Sequence, residues 1–192
     1  MPEKDTLIAD ILELELEMFL SVPTDRPYSC QQDPEGFRLH RGVQFSIWAE
    51  DTLESYLEDL QRAKKEESNL MTIKYARMED LISRKNFNPL IESILDIYMS
   101  WQKEMIEDFP NIMAGGRRLS STDDSIIETS FETYLKGELE TYSDNTLSLF
   151  HRDLITLTEK GMNGSRMVYE LLFKKMGFRS IEDAERMKKD NH

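Results

Sequence analysis

One charged residue of the first predicted helix stands where an apolar residue is expected. Apolar side chains recur at helical spacing between residues 7 and 20, and Glu15 falls near the centre of the face that carries Ile11 and Met18. A lone buried carboxylate is costly, so Glu15 should meet a cation or a hydrogen-bond donor, or else be protonated. It is therefore a candidate for ligand binding or acid/base chemistry. The plainer interpretations are a structural ion pair and a helix rotated until Glu15 reaches the rim.

The second predicted helix carries a complementary polar and aromatic face. Arg41 offers the fork of donors that Glu15 lacks, and Trp48 offers a flat apolar wall with one N–H donor. Two interpretations stay open: a central helix whose polar groups satisfy one another, and a small-molecule pocket that these groups line. The face comprises His40, Arg41, Gln44, Trp48 and Asp51.

Two further helices contribute polar residues at helical spacing. Lys74 and Tyr75 of the third can extend the same pocket, whereas the fifth carries Tyr134, Gly137, Glu138 and Tyr142. For both groups the favoured interpretation is a solvated face with interfacial tyrosines. A glycine inside a helix costs about 1 kcal/mol relative to alanine, so Gly137 indicates close packing. The candidate ligand-binding residues are Glu15, Arg41, Gln44, Trp48, Lys74 and Tyr75.

The single cysteine gives a second, weaker hypothesis of catalysis. Cys30 precedes the predicted start of the second helix, and a helix N-terminus favours the thiolate. His40 is the nearest histidine in sequence, but no spacing typical of a nucleophile and its base supports the pair. We therefore expect Cys30 to be a free, non-catalytic thiol. With three histidines and no Glu-x-x-His pair, the sequence predicts no metal site.

Composition favours one acidic intracellular domain over residues 1–192. The 24 basic and 37 acidic residues give a net charge of −13, which repels nucleic acid and anionic lipid. No apolar stretch reaches the length of a membrane span, and the N-terminus lacks the pattern of a signal peptide. One cysteine allows no internal disulfide, as is typical of a reducing compartment. We therefore expect a cytoplasmic protein.

The elements that must position these residues are predicted to be helices. Asp33-Pro34 is a strong helix start, which favours helix over residues 37–47 although apolar side chains alternate there as in a strand. The predicted fold class is an all-α single globular domain of about seven helices, with helix 2 central. The predicted ranges are 7–20, 33–66 with a bend near 50–51, 69–84, 88–109, 125–142, 143–160 and 165–177, with a short eighth helix from 180 and an irregular loop over 111–124.

Several motifs together resemble a known family. They include Ser29-Cys30-Gln31-Gln32-Asp33-Pro34, Arg41-Gly42-Val43-Gln44-Phe45-Ser46-Ile47-Trp48, Ser55-Tyr56-Leu57-Glu58-Asp59-Leu60, Lys74-Tyr75-Ala76-Arg77-Met78 and Thr133-Tyr134-Leu135-Lys136-Gly137-Glu138-Leu139. With these motifs the chain resembles the bacterial family named domain of unknown function 4125 over nearly its whole length. The resemblance implies one intact bacterial cytoplasmic domain. The family has no assigned activity, cofactor or catalytic residue, so no functional role is transferred.

Three hypotheses of function follow from these residues. The first is a small-molecule-binding protein with a polar-aromatic pocket among predicted helices 1, 2, 3 and 5. The second is an enzyme that uses Glu15 as acid/base or Cys30 as nucleophile. The third is a structural or protein-interaction module whose acidic surface meets a basic partner. Convergence of the polar side chains around an open cavity would distinguish the first two hypotheses from the third.

Overall fold

A computed structural model describes residues 2–23, 29–125 and 128–190. Within these ranges the chain is all-helical and contains no strand, which confirms the predicted fold class. Short 3-10 turns cover Ser29–Gln32 and Ser121–Asp123. The ten α-helices of the described ranges are α1 (Pro2–Leu20), α2 (Pro34–Phe45), α3 (Glu50–Lys65), α4 (Leu70–Met78), α5 (Leu90–Asp108), α6 (Pro110–Met113), α7 (Phe131–Leu139), α8 (Asp144–Glu159), α9 (Gly164–Lys175) and α10 (Ile181–Asp190).

Side-chain caps define the starts of three helices where the sequence predicts them. Asp33, Asn69 and Ser143 each accept a hydrogen bond from a backbone N–H in the first turn of α2, α4 and α8, respectively, at 2.9, 2.9 and 3.2 Å. These bonds satisfy N–H groups that have no partner within the helix. The predicted starts near residues 34, 70 and 144 are thereby confirmed.

The long helix predicted over 33–66 is wrong, because the chain breaks between α2 and α3. At the start of α3 the carboxylate of Asp153, on α8, accepts hydrogen bonds from Ala49 N at 2.8 Å and Thr52 Oγ1 at 2.6 Å. At the end of α2 the ammonium of Lys4 donates to the carbonyl of Ser46 at 2.8 Å. Distant side chains therefore satisfy both exposed helix ends, and the seven-helix count and the central position of the second helix are not confirmed.

Two other predicted boundaries also need correction. The third predicted helix ends at Met78 rather than near 84, because Asp80 adopts a positive φ of 55° that the helix cannot continue. The fifth begins at Phe131 rather than near 125, where Ser130 caps it through a 3.1 Å bond to Thr133 N. The region predicted as a loop over 111–124 contains most of the short α6 and a 3-10 turn.

The apolar side chains form one large core and one small one. Helix α1 packs against α2, α3 and α4, whereas α5 packs against α7, α8 and α9. The small core, which holds α10 against α6 and α9, comprises Met105, Phe109, Ile112, Phe173, Ile181 and Ala184. Across the described residues, none of the helices combines the length and apolar character needed to cross a membrane.

Candidate functional site: a buried charge cluster

The carboxylate of Glu15 is fully buried and paired with Arg41. Its exposed fraction is 0%, and Arg41 approaches it with two nitrogens, Nε at 2.8 Å from Oε2 and Nη2 at 2.5 Å from Oε1. This forked geometry uses both oxygens of the carboxylate and one edge of the guanidinium, which leaves Nη1 for other partners. The prediction that Glu15 is buried against Arg41 is confirmed.

A second ion pair continues the first toward α4 and α7. Nη1 of Arg41 lies 2.9 Å from Oε1 of Glu138, whose other oxygen accepts a 2.5 Å bond from Nζ of Lys74. Lys74 also lies 3.6 Å from the centre of the Tyr134 ring, a cation–π contact. Lys74 therefore pairs with Glu138 and not with Glu15.

Two tyrosines complete the hydrogen bonding of the carboxylates. Tyr56 donates to Oε1 of Glu15 at 2.6 Å, and Tyr142 donates to Oε1 of Glu138 at 2.7 Å. We refer to six residues from α1, α2, α3, α4, α7 and the turn after α7 as the charge cluster. They are Glu15, Arg41, Tyr56, Lys74, Glu138 and Tyr142, and all six are buried.

Burial and ion pairing act in opposite directions on the charged groups. Burial lowers the pKa of Arg41, but the charges of Glu138 and Glu15 outweigh that effect and hold this pKa well above its usual value. Burial also disfavours the ionised form of Glu138, yet Arg41 and Lys74 together lower the pKa of this carboxyl far below its usual range. Burial, with the neighbouring carboxylates, raises the pKa of both tyrosines. Arg41 and Glu138 are therefore charged at neutral pH, and the tyrosines are neutral donors.

The lowered pKa of Glu138 predicts a loss of stability in acid. Because the folded-state pKa lies below the unfolded value of about 4.3, this carboxylate stabilises the fold above that pH, and the contribution is lost as the pH falls further. We expect the unfolding free energy to decrease between about pH 5 and pH 3, with a shallower slope in Glu138→Gln. Urea melts over this range measure the slope, and Glu13→Gln, on the exposed side of α1, should keep that of the wild type. Equal slopes in all three proteins would contradict the prediction.

The close approach of α4 and α7 that joins Lys74 to Glu138 depends on Gly137. A Cβ atom at this position would lie only 2.9 Å from Cγ of Met78 and 3.2 Å from the carbonyl oxygen of Lys74. The second of these atoms is backbone, so it cannot rotate away. The close packing predicted from the glycine is confirmed, and the space it leaves lets the two helices come close beside the ion pair.

The variant Gly137→Ala is therefore expected to push α4 away from α7. We expect it to lower the unfolding free energy by about 1–3 kcal/mol, the usual effect of overpacking, although alanine is the better helix former. The control is Gly42→Ala in α2, where a Cβ would meet Leu12 at an ordinary 3.5 Å. That change should be neutral or stabilise by up to about 1 kcal/mol. Thermal melts of the two variants measure the difference in stability. A Gly137→Ala protein as stable as Gly42→Ala would be inconsistent with this packing.

The structure brings together only part of the predicted ligand-binding set. Glu15, Arg41 and Lys74 belong to the charge cluster, and Gln44 touches it, since its Oε1 accepts a 2.6 Å bond from Nη1 of Arg41. Trp48 instead packs among aromatic rings, 4.3 Å from the ring centre of Phe150.

The remaining candidates lie outside the charge cluster. Tyr75 is half-buried, with Lys74 5.8 Å from its ring centre. His40 is exposed, and Asp51 is an exposed partner of Arg152. The backbone of Cys30 lies in the turn before α2, but its side chain is outside the described part of the chain.

Sequence reasoning missed the role of Glu138, Tyr56 and Tyr142. Glu138 was expected on a solvated face, yet it is buried and has three partners within hydrogen-bond distance. Its neighbour Gly137 was one available signal, because a glycine that lets two helices approach closely also brings the residues beside it near the second helix. The spacing of four residues between Glu138 and Tyr142 was a second signal, since it is compatible with side-chain contact.

Two surface cavities lie away from the charge cluster. A groove of about 520 Å³ follows the exposed side of α3, and a smaller cavity of about 160 Å³ lies where the end of α1 meets the residues between α3 and α4. Neither is lined by a residue of the charge cluster. In the described ranges, no group of three or more histidine, cysteine, aspartate or glutamate side chains is placed to hold a metal ion.

Comparison with known proteins places the chain in a family. The sequence model of one protein family matches residues 5–186, and this family is described as Protein of unknown function (DUF4125). The chain belongs to this family. The region shared with the DUF4125 family includes every residue of the charge cluster, and the resemblance stated from the motifs is confirmed. No curated protein and no solved structure matches the chain.

Proposed function

We propose that this member of the DUF4125 family binds a small molecule at the charge cluster. The observation that carries the proposal is the convergence of polar side chains from distant parts of the sequence on one guanidinium. Arg41 contacts Glu15 of α1 and Glu138 of α7, and Glu138 in turn contacts Lys74 of α4. Buried polar groups with fixed positions are what a ligand site uses for orientation and specificity.

Gln44 supplies the route from solvent to the cluster. It is exposed, whereas Arg41, to which it is bonded, is 7% exposed. We infer that rotation of this one side chain would uncover Nη1 of Arg41 while the bonds of Nε and Nη2 to Glu15 stay in place. Entry of a ligand therefore requires the displacement of an exposed side chain and leaves the buried ion pairs intact. We also propose the bacterial cytoplasm as the setting, because the family resemblance implies a bacterial cytoplasmic domain and a single cysteine is typical of a reducing compartment.

Native mass spectrometry tests the proposal. The wild-type protein, purified without denaturation from a bacterial host, is expected to carry a small-molecule adduct that the double variant Glu15→Leu/Arg41→Met lacks. The control is Asp51→Leu/Arg152→Met, which removes a forked but exposed ion pair with two 2.7 Å bonds and should keep the adduct. A wild-type protein without any adduct, or an adduct retained in the cluster variant, would contradict binding at this site.

A second candidate function is that of a structural or protein-interaction module. Two specific observations favour it. Neither of the two surface cavities is lined by the charge cluster, whereas an open cavity there is what the ligand-binding hypothesis called for. The charge cluster is closed and internally paired, with two basic and two acidic side chains bonded to each other. Such a network can specify how helices pack without binding any ligand. In that case the cluster variant and the control would both lack an adduct, as would the wild type.

The enzyme hypothesis receives less support from the geometry. The oxygens of Glu15 accept three hydrogen bonds, two from Arg41 and one from Tyr56, and the residue is inaccessible to solvent. A carboxylate held in this way is shielded from a substrate by its own partners. A general acid or base must instead reach the proton of a substrate directly or through one water.

A further inference from the structure

The contact between Arg41 and Gln44 indicates which chemical group a ligand must present. Nη1 of Arg41 donates to Oε1 of Gln44 at 2.6 Å and to Oε1 of Glu138 at 2.9 Å. We propose, on the premise that the charge cluster binds a small molecule, that this ligand is uncharged. It presents the carbonyl oxygen of an amide to Nη1 of Arg41 in place of the oxygen of Gln44.

The need for an acceptor follows from the position of the donor. Arg41 is buried, so an N–H that loses Gln44 without replacement is left without a partner, which costs more than a typical hydrogen bond contributes. A ligand that displaces Gln44 must therefore bring an oxygen of its own. The side chain of Gln44 is itself a carboxamide, so an amide reproduces the group that the site already accommodates.

The need for neutrality follows from the charges around that donor. Arg41 contacts two carboxylates, Glu15 and Glu138, and the second also contacts Lys74. The four formal charges cancel, so the cluster offers no surplus positive charge to a carboxylate or phosphate. An anion at Nη1 would lie beside the carboxylate of Glu138, which is bonded to the same nitrogen, and a cation would lie against the positive charge of Arg41. The net charge of −13 further disfavours the approach of anions to the protein.

Three aromatic probes of matched shape test both parts of the inference. Benzamide is neutral, benzoate is anionic and benzamidine is cationic, so they differ in charge on one scaffold. Each is titrated into the wild-type protein while the side-chain N–H signals of arginine are followed by NMR. We expect benzamide to shift the signal of Arg41 and to bind at least about tenfold more tightly than either charged probe, since like charges at a contact are strongly disfavoured.

Removal of Gln44 tests where benzamide binds. In Gln44→Ala the probe no longer competes with an intramolecular acceptor, so benzamide should bind about three- to tenfold more tightly, a factor typical of one net hydrogen bond. The control is Gln61→Ala, an exposed glutamine on α3, which should bind benzamide as the wild type does.

The outcomes separate this inference from the proposed function. Benzoate or benzamidine binding more tightly than benzamide, with a shift of the Arg41 signal, would overturn the neutral-amide inference and leave the binding site in place. Failure of all three probes to shift that signal, in the wild type and in Gln44→Ala, would overturn both. Tighter benzamide binding in Gln44→Ala with no change in Gln61→Ala supports both.

Discussion

Replacement of Arg41 by methionine is expected to lower the unfolding free energy by about 3–5 kcal/mol. The variant leaves Glu15 buried with one remaining donor, Tyr56, and removes one of the two cations that face Glu138. The reverse change, Glu15→Leu, should cost a similar amount because it leaves the guanidinium without its forked partner. Urea melts at neutral pH measure both effects.

The double variant Glu15→Leu/Arg41→Met is expected to recover most of that loss. Two apolar side chains of similar volume remove the pair together, so neither Glu15 nor Arg41 is left as a charge without its partner, and such replacements are often neutral or stabilising. Glu138 keeps Lys74 and Tyr142 as partners. An exposed pair gives the comparison: Asp51→Leu/Arg152→Met and its single variants should each change stability by about 1 kcal/mol or less. Single variants of Glu15 and Arg41 with the stability of the wild type would mean that this pair contributes no more than the exposed one.

The Glu15–Arg41 pair could be predicted from sequence because each half breaks a local pattern. Glu15 interrupts an apolar helical face, and burial of a carboxylate demands a donor whatever the remainder of the fold. Arg41 lies on a helix face that also carries aromatic residues, and this composition indicates that the face is directed toward the core. Periodicity indicated that each residue is buried, whereas the choice of Arg41 as the partner of Glu15 also required the assumption that this face meets the first helix.

Glu138 could not be placed in the same way. Its burial results from contact between α7 and α4, and its partners Arg41 and Lys74 precede it by 97 and 64 residues. Along α7 alone, a glutamate near a lysine and a tyrosine is typical of a solvated face. The space left by Gly137 and the four-residue spacing to Tyr142 indicated otherwise, but neither identifies the helix that packs against Glu138.

The break between α2 and α3 shows the same limit on a larger scale. Helix caps that are local in sequence, such as Asp33 and Asn69, could be recognised because the capping side chain and the N–H that it accepts from lie three residues apart. The cap of α3 comes instead from Asp153, 104 residues from Ala49. Without that contact the sequence favours one long helix, on which Trp48 shares a face with Arg41. The break ends that shared face and leaves Trp48 in the aromatic core.

Because Trp48 lies among aromatic rings and not beside Arg41, we expect it to stabilise the core. Its removal gives the second large predicted effect on stability. Its ring lies 4.3 Å from the centre of Phe150 and 5.2 Å from that of Phe45. Trp48→Ala is therefore expected to lower the unfolding free energy by about 3–5 kcal/mol, as for a large aromatic side chain removed from a core. Trp48→Phe, which keeps an aromatic ring, should cost less than half as much, and thermal melts compare the two.

The position of Trp48 also couples the aromatic core to the charge cluster. Tyr56 and Tyr142 lie 5.7 and 6.0 Å from Trp48 between ring centres, and their hydroxyl groups are the donors to Glu15 and Glu138. Loss of the indole frees both tyrosines to move, so the effects of Trp48→Ala and Glu15→Leu should fail to add by at least about 0.5 kcal/mol in a double-mutant cycle. Additive effects would mean that the tyrosine hydroxyls keep their positions without the ring beside them, and that the charge cluster is held by its ion pairs alone.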